Sequence, residues 1–342
     1  MKIWIDILTP KQLLFSEPII EKLGQKHDLL CTSREYEEVS RLAKIRGFNL
    51  IFVGRYGGSD KKTKLKTSID RMKKLSKIIR IFTPDMAISF CSPEAARISF
   101  GLDIKHIAFC DSPHASAVMR LTLPLIQKLL IPDIIPKNKF SRYGIDKKNI
   151  ISYKAIDASV TIKRKINQKA MLPFNNNKQK NILIRVEEEE ASYTSKSSRT
   201  ISIIKKIVED HSDQNIVILG RYAKQIQNLQ KLIGVKAKIV KMSYDGKHLL
   251  NSTDIFIGSG GTMTAESALM GIPTISYNAV PNIIEDFLVK KYLIKRETNP
   301  ERISNYIKKE IRSKKKPRQR RAKRIVGNME DPIQKLIKVM KE

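Results

Sequence analysis

Short apolar runs alternate with longer amphipathic segments along most of this chain. The first three runs, MKIWIDIL, HDLLCT and residues 50–53, are rich in β-branched or aliphatic residues, and the helical segments between them end at Gly24 and Gly47. The turn Thr9-Pro10 follows the first run, and the first helix is expected to begin at Pro18. Strands and helices joined this closely are typical of a parallel sheet covered by helices. The pattern therefore predicts an α/β fold that starts with a βαβαβ unit.

The alternation continues to the end of the chain and is interrupted once by a change in composition. Further strands are expected at residues 84–90, 106–109 and 149–155, and a second series begins with NILIRV at residue 181. The segment between these series, residues 161–180, is basic, polar and rich in asparagine, as inter-domain linkers often are. We therefore predict an N-terminal domain at 1–165, a linker at 166–180, a C-terminal domain at 181–311 and a basic tail at 312–342.

The most informative stretch is GSGGTMTAESALMGIPTIS, residues 258–276, which follows a short apolar strand and leads into a helix. Backbone N–H groups in a glycine-rich loop at a helix N-terminus form an anion site, because the helix dipole favours negative charge. Glu266 lies about one turn into this helix, where its carboxylate can accept hydrogen bonds from a ribose. The predicted diphosphate-binding residues are Ser259, Gly260, Gly261 and Thr262. The alternative is a purely structural role, since strand-to-helix turns often need glycine for positive φ.

This stretch resembles the nucleotide-binding segment of the GT-B superfamily. That superfamily includes the lipid-linked glucosaminyltransferase of peptidoglycan synthesis and the non-hydrolysing UDP-N-acetylglucosamine 2-epimerases. The segments MKIWIDILTPKQLLF, PDMAISFCSPEAARISFG, DSPHASAVMRLTLPL, ILIRVEEEEASY and ILGRY extend the resemblance to about residue 311. Over that length the chain resembles an uncharacterised, mainly archaeal family of the superfamily, domain of unknown function 354. The resemblance implies a GT-B fold, in which two Rossmann-like domains with parallel sheets face a central cleft and the second domain binds the donor nucleotide.

The chain departs from both enzyme types at the turn after its first strand. The epimerases begin with a Gly-Thr-Arg-Pro-Glu stretch and the glucosaminyltransferases with a glycine-rich acceptor loop, whereas this turn is Leu8-Thr9-Pro10-Lys11. The catalytic residues of the epimerases therefore have no direct counterpart in this turn.

Polar residues follow several strands of the first half, where open parallel sheets bind their ligands. Glu94 follows the fourth strand, and Asp111 and His114 follow the fifth. These three are the candidate catalytic residues, with His114 as general base and Asp111 either orienting it or acting itself. Helix capping by Asp111 or Ser112 is the alternative for that turn. The candidate acceptor-side residues are Thr9, Arg55, Ser92 and Arg120.

Two strand ends of the second half carry further candidate contacts to the nucleotide sugar. Arg185 ends the strand NILIRV and is expected to neutralise the leaving diphosphate. Arg221 and Tyr222 follow the strand at 215–219, where the arginine can reach a phosphate and the tyrosine can stack on a base. A helix start at 221–222 is the equal alternative. The acidic run at 187–190 is expected to be a solvated loop, and contact of one glutamate with substrate hydroxyls is the alternative.

The net charge sets this chain apart from an ordinary globular protein. It has 65 Lys and Arg against 34 Asp and Glu, or +31, which predicts an anionic partner such as phosphorylated substrates, anionic lipid or nucleic acid. A generally basic proteome is the alternative explanation. Nucleic acid is the weaker choice, because only 6% of residues are aromatic and no known nucleic-acid motif occurs. The basic run at 312–324 is either solvated or in contact with phosphate.

One apolar segment also bears on membrane contact. Residues 120–136, RLTLPLIQKLLIPDIIP, are expected to pack in the core as a helix and a strand. Docking on an anionic membrane surface is the alternative.

Cysteine spacing and segment lengths point to a cytoplasmic protein, with peripheral membrane association as an option. The three cysteines form no Cys-x-x-Cys pair, no signal peptide is evident, and no apolar run reaches membrane-spanning length. No metal-ligand spacing occurs, so neither metal nor cofactor is expected beyond a nucleotide-sugar co-substrate, most simply UDP-linked.

These observations together predict a metal-independent GT-B glycosyltransferase that transfers a hexosyl or N-acetylhexosaminyl group, with a lipid-linked or membrane-associated acceptor as an option. The alternatives are a sugar-nucleotide epimerase of the UDP-GlcNAc 2-epimerase type and a non-catalytic protein that binds nucleic acid or anionic lipid.

Overall fold

The structure is a computed structural model that describes residues 1–58, 60–166, 172–174, 179–187, 198–220, 223–241, 244–277, 282–313 and 316–341. The chain divides into two compact units. Unit 1 comprises Met1–Val160 and Met329–Glu342, and unit 2 comprises Thr161–Asn328. Each unit contains one parallel sheet with helices, so the predicted α/β class with two Rossmann-like sheets is confirmed.

Unit 1 is built on a seven-stranded parallel sheet with the order β3-β2-β1-β4-β5-β6-β7. The strands are β1 Lys2–Ile7, β2 Asp28–Glu35, β3 Ile51–Arg55, β4 Met86–Ser89, β5 Lys105–Phe109, β6 Lys128–Pro132 and β7 Ile150–Tyr153. The order changes direction between β1 and β4, and open α/β sheets bind ligands outside the carboxyl ends of the strands at such a point.

The helices of unit 1 agree with the hydrophobic pattern except at the first one. They are α1 Pro10–Leu23, α2 Glu37–Arg46, α3 Lys61–Phe82, α4 Pro93–Gly101, α5 Ser116–Thr122 and α6 Asn138–Ser141, and the short α7 Ala158–Thr161 lies at the unit boundary. The expected start of the first helix at Pro18 is wrong, because α1 already begins at Pro10. Thr9 caps this helix by accepting a hydrogen bond from the Gln12 N–H, and a proline in the first turn needs no hydrogen-bond partner for its nitrogen.

The apolar segment at 120–136 forms the end of α5 and strand β6. Leu129, Leu130 and Ile131 of this strand have no exposed surface, which confirms the expectation that the segment packs in the core. Among the described residues, no helix is both long and apolar enough to cross a bilayer.

Unit 2 is built on a six-stranded parallel sheet with the order β10-β9-β8-β11-β12-β13. The strands are β8 Asn181–Arg185, β9 Asn215–Gly220, β10 Lys238–Lys241, β11 Ile255–Gly258, β12 Thr274–Ser276 and β13 Ile294–Arg296. The order changes direction between β8 and β11. The glycine-rich loop follows β11, so it lies at the point where such sheets bind ligands.

Both faces of this second sheet are covered by helices. They are α8 Ser198–Asp210, α9 Ala223–Ile233, α10 Gly246–Asn251, α11 Thr262–Leu269, α12 Ile283–Lys290, α13 Pro300–Arg312 and α14 Lys316–Gly327. Ile182 and Ile184 of β8 join one apolar cluster, and Leu183 between them joins another. Burial on both faces explains why the strands are continuous apolar runs without alternation.

The predicted basic tail at 312–342 is divided between the two units. Helix α14 belongs to unit 2, whereas the last helix, α15 Pro332–Val339, belongs to unit 1. Ile333, Leu336 and Val339 lie on one face of α15 and are buried in the apolar cluster that contains β1 and α1. The tail is therefore not a separate segment, because three apolar residues at helical spacing attach its end to the core of unit 1.

Candidate functional site

The loop after β11 in unit 2 has almost no side chains where it enters α11. Gly260 has φ of +93°, a left-handed conformation that favours glycine. Gly261 is the N-cap of α11 and provides no side-chain cap, and a Cβ added to it would meet no described atom within 4 Å. The first N–H groups of a helix have no partner within the helix, so this uncapped end is suited to an anion.

Hydrogen bonds fix the shape of this loop. The Gly260 N–H donates to Thr264 Oγ1 at 3.3 Å, and Asn282 Nδ2 donates to the Gly260 carbonyl at 3.1 Å. The Tyr277 N–H donates to the Gly258 carbonyl at 3.0 Å. A loop held in this way loses little conformational freedom when a ligand binds.

A buried carboxylate lies behind the loop. Glu285, in the first turn of α12, is 1% exposed, and its Oε1 accepts a hydrogen bond of 2.7 Å from Arg296 Nε. Its other oxygen, Oε2, occupies the space that a Cβ at Gly260 would need. Arg296 also donates from Nη2 to Asp286 at 2.6 Å. Glu285 was not predicted from the sequence, because nothing in its local sequence distinguishes it from other helix-capping acids.

Strand β8 ends in a second set of buried polar groups. Arg185 is 7% exposed, and its Nη1 donates to the carbonyls of Leu219 and Gly220 at 3.4 and 3.3 Å. Glu187 is also buried and accepts hydrogen bonds from the hydroxyls of Tyr277, at 2.7 Å, and Thr200, at 2.6 Å. The expectation of a solvated acidic run is therefore wrong for Glu187, whose charge is satisfied by two hydroxyl donors; residues 188–190 lie outside the described residues.

Glu266 lies in the second turn of α11, and 5% of its surface is exposed. It is thus a buried carboxylate directly after the first turn of the helix that the glycine-rich loop enters. Arg221 and Tyr222, the other candidate contacts to the nucleotide, lie outside the described residues.

Unit 1 holds a buried ion pair at the carboxyl end of β1. Asp6 accepts two hydrogen bonds from Arg71, of 2.6 and 3.2 Å, and both side chains are almost completely buried. Ser92 and Thr32 each donate a further hydrogen bond of 2.7 Å to this carboxylate. Burial alone would raise the pKa of Asp6, but the charge of Arg71 and these hydrogen bonds hold it below its usual value.

Glu94 belongs to the same cluster. Its Oε1 accepts a hydrogen bond of 2.8 Å from Ser68, and its Oε2 lies 3.7 Å from Arg71 Nη1. Ser92 connects the two carboxylates and also caps α4 by accepting from the Ala95 N–H at 3.2 Å. Two predicted residues, Glu94 and Ser92, therefore lie together at the point where the strand order changes direction.

A second charged cluster follows β5. Lys11 forms ion pairs with Asp111 and with Asp157, the latter at 2.7 Å from Nζ to Oδ2. Asp111 also accepts a hydrogen bond of 2.8 Å from Ser112, and Asp157 accepts one of 2.6 Å from Tyr153.

The environments of these two carboxylates push their pKa values in opposite directions. Burial raises the pKa of Asp157. Burial alone would also raise the pKa of Asp111, but the charge of Lys11 and the hydrogen bonds lower this pKa overall. Two neighbouring carboxylates with separated pKa values can act as proton donor and proton acceptor.

The profile of a family described as "Protein of unknown function (DUF354)" matches residues 1–342. The chain belongs to this family. It is 28% identical over 317 residues to the uncharacterized protein MJ0665 of Methanocaldococcus jannaschii, and the match covers 90% of this chain and 91% of that protein.

Solved structures resemble the whole DUF354 chain. The UDP-GlcNAc 2-epimerase from Neisseria meningitidis, bound to UDP-GlcNAc, has a TM-score of 0.75 at 16% identity, with 100% of each chain covered. The spinosyn rhamnosyltransferase SpnG has a TM-score of 0.65 at 12% identity, again with 100% of each chain covered. Similarity at such low identity establishes the fold, and it supports the GT-B class that the sequence predicted.

The remaining predicted residues of the DUF354 chain occupy exposed or capping positions. Thr9 is the N-cap of α1. Arg55 has an 84% exposed side chain and lies 3.4 Å from the Glu35 carboxylate, and Arg120 and His114 are exposed. Asp111 pairs with Lys11 and Ser112, and its orienting role toward His114 stays a prediction.

The sequence interpretation missed four charged residues of unit 1: the buried Asp6, Arg71 and Asp157 and the half-buried Lys11. A signal existed for Asp6, because an acid inside an apolar strand is rarely buried without a partner. The partner itself, Arg71, is 65 residues away in the sequence and has no local signature.

Proposed function

We propose that this chain acts on a nucleotide diphosphate sugar, most simply a UDP-sugar, and transfers the sugar to an acceptor without a metal ion. The observation that carries this proposal is the uncapped start of α11. There the loop from Ser259 to Gly261 brings bare backbone to the carboxyl edge of the sheet, beside the change of direction between β8 and β11. Such a site suits a diphosphate.

The proposed roles in unit 2 follow from the charge that develops during transfer. The leaving diphosphate gains negative charge as the glycosidic bond breaks. N–H groups at Gly261 and Thr262 are already fixed in place, so they stabilise that charge without reorganisation, and Gly260, whose own N–H donates to Thr264, lets the backbone approach the diphosphate. Arg185 at the end of β8 supplies a positive charge near the same edge of the sheet, and Glu266 accepts hydrogen bonds from the ribose.

The proposed acceptor chemistry lies in unit 1. Asp111 is the preferred general base, because it follows the carboxyl end of β5 and its ion pair with Lys11 holds it in place. His114 and Glu94 remain candidates for proton transfer. A lipid-linked acceptor fits the basic composition and is part of this proposal.

Calorimetric titration with UDP-GlcNAc tests the nucleotide site. Glu266→Gln is expected to weaken the affinity at least about tenfold, because hydrogen bonds to a charged group are among the stronger ones. Glu301→Gln is the matched control, since it makes the same change on an exposed side chain of unit 2. Equal affinities for Glu266→Gln and the parent chain would refute the assignment of Glu266.

A second candidate function is epimerisation of the sugar nucleotide at C2. The pair Asp111 and Asp157 favours this function. Epimerisation removes a proton from C2 and returns one, and the pKa of Asp157 is raised whereas that of Asp111 is lowered. Incubation with UDP-GlcNAc in deuterated water separates the two functions. Deuterium incorporated at C2 in the absence of acceptor supports the epimerase, whereas sugar transfer to an acceptor without such exchange supports the transferase.

A further inference from the structure

A cationic cavity lies in unit 2 between the end of α12 and helix α14. Its volume is about 380 Å³, near the lower end of the range for small-molecule sites. The polar lining consists of Lys290, Lys291, Tyr292, Arg321, Arg324 and Asn328. It involves none of the residues proposed above to bind the nucleotide sugar.

The basic wall of this cavity is held in place by packing. Arg321, Arg324 and Asn328 are spaced three and four residues apart and so share one face of the chain in and after α14. Two hydrogen bonds of 2.8 and 2.9 Å from Arg318 to Glu310 fix the start of α14 to α13. At Gly271, φ is +73° and a Cβ would lie 2.7 Å from the Gln319 Cα, so α14 also lies directly against the end of α11. Helix α14 is therefore fixed in place, and moving Arg321 and Arg324 away from the cavity would break these contacts.

Positive charge in the cavity comes from two separate elements. Lys290 in the last turn of α12 and Arg324 in the last turn of α14 are each favoured by a helix dipole, but that explanation does not apply to Arg321. Within the described residues, no carboxylate lies within ion-pair distance of Lys290, Lys291, Arg321 or Arg324. Like charges facing each other destabilise the folded state, and an anion between them would remove that cost.

The backbone conformation of Tyr292 supports a binding role for this cavity. It has φ of +56°, in the left-handed region where a helix end normally has glycine. The bonds Tyr292 N–H to Val289 O, at 2.9 Å, and Leu293 N–H to Leu288 O, at 3.0 Å, show the standard glycine-type helix ending. The ring is nonetheless 76% exposed, and the Arg321 guanidinium lies 5.7 Å from its centre. Backbone strain of this kind concentrates at functional sites.

We propose that this cavity is a second anion site, which binds a phosphate group carried by a lipid headgroup or by a soluble phosphate ester. Arginine guanidinium groups match the geometry of phosphate oxygens and bind them in bidentate fashion. Lys290 and Lys291 add charge from the opposite wall, and the Tyr292 ring covers the group attached to the phosphate.

Calorimetric titration of the full chain with inorganic pyrophosphate, carried out in saturating UDP-GlcNAc so that the proposed diphosphate site after β11 is occupied, tests the location of the site. The double variant Lys290→Gln/Arg324→Gln is expected to bind about tenfold or more weakly than the parent. The matched control, Arg320→Gln/Lys323→Gln, removes the same charge from exposed positions of α14 that do not line the cavity, and it is expected to change the affinity less than about twofold. Equal losses in both variants, or no loss in either, would overturn the proposal.

Vesicle sedimentation distinguishes the two sources of phosphate. If the headgroup is the ligand, vesicles of phosphatidylcholine with phosphatidic acid bind the parent chain and not Lys290→Gln/Arg324→Gln, and pure phosphatidylcholine binds neither. If the ligand is soluble, pyrophosphate binding depends on the cavity residues while vesicle binding is equal in both chains. Tight RNA binding that both double variants lose equally would instead show a diffuse polyanion surface and would overturn the proposal.

Tyr292→Gly separates binding from folding. Glycine relieves the left-handed strain, so the melting temperature is expected to stay the same or rise, while the affinity for the vesicles or for pyrophosphate falls. A fall in melting temperature with unchanged affinity would show that Tyr292 serves the fold alone, and its proposed contact with the ligand would be wrong.

Discussion

Gly260 and Glu285 fit together so closely in unit 2 that a side chain at position 260 would overlap the buried carboxylate. The carboxylate cannot simply rotate away, because Arg296 holds its other oxygen at 2.7 Å and the residue is 1% exposed. The conformation of the glycine-rich loop is therefore set by an ion pair on the neighbouring helix as well as by the loop itself.

Gly260→Ala is expected to destabilise unit 2 by on the order of 1–3 kcal/mol, since it adds left-handed strain and displaces Glu285. It should also abolish detectable nucleotide-sugar binding if the loop is the diphosphate site. Gly261→Ala is the control for stability only, because φ there is −82° and the space is open. Thermal unfolding with calorimetry of UDP-GlcNAc binding measures both effects. Equal melting temperatures for the two variants would show that the Glu285 contact does not constrain the loop.

The buried pair of Asp6 and Arg71 gives a second prediction. Arg71→Met leaves the Asp6 carboxylate buried without its counter-charge and is expected to cost about 3–5 kcal/mol of unfolding free energy. The double variant Asp6→Asn/Arg71→Met also removes the charge of Asp6 and leaves only Glu94 charged in this cluster, so it should recover part of that loss. Urea unfolding followed by fluorescence of Trp4, the single tryptophan, reports on unit 1 alone. A double variant no more stable than Arg71→Met would argue against an uncompensated charge as the cause.

His106 predicts how the stability of unit 1 depends on pH. Burial lowers its pKa to about 4, and its Nε2 lies 2.9 Å from Ser89 Oγ. In the unfolded chain its pKa returns to the ordinary value of 6.5, so between pH 6.5 and 4 the unfolded state binds the proton more readily. Its contribution is therefore complete above pH 6.5 and is lost as the pH falls toward 4, by up to about 3 kcal/mol.

His106→Gln keeps a polar partner for Ser89 and is expected to flatten the loss of stability between these pH values. The measurement is the urea midpoint of the Trp4 signal at several pH values. His114→Gln, which removes an exposed imidazole, is the comparison variant. If the urea midpoint of His106→Gln falls with pH as steeply as that of the parent chain, another group is responsible for the loss of stability.

The elements of the fold could be predicted because each depends on residues close together in the sequence. Strand β8 and the loop after β11 are examples, since apolar runs and consecutive glycines are local patterns. The charged clusters were not predicted, because Lys11 and Asp111 are 100 residues apart and meet only through the strand order. Glu187 could not be recognised as buried from the sequence for the same reason. It belongs to an acidic run that is typical of a solvated loop, and the hydroxyls of Tyr277 and Thr200 that bind it come from distant parts of the sequence.

Helix α15 gives the last prediction, because it assigns the end of the chain to unit 1. Leu336 has no exposed surface and packs in the cluster that contains β1 and α1. Leu336→Ala is expected to destabilise unit 1 by about 2–5 kcal/mol, the usual cost of a large-to-small change in a core. Lys338→Ala on the exposed face of the same helix is the control and should change stability by no more than about 0.5 kcal/mol.

Trp4 makes this prediction specific to one unit. It lies in the core on the other face of the unit 1 sheet, so its fluorescence follows the unfolding of that unit. The Trp4 transition of Leu336→Ala should move to lower urea, and removal of residues 329–342 should move it further. If both changes leave the Trp4 transition where it is in the parent chain, α15 does not contribute to the core of unit 1, and the tail would have to be regarded as the separate segment that its basic composition first suggested.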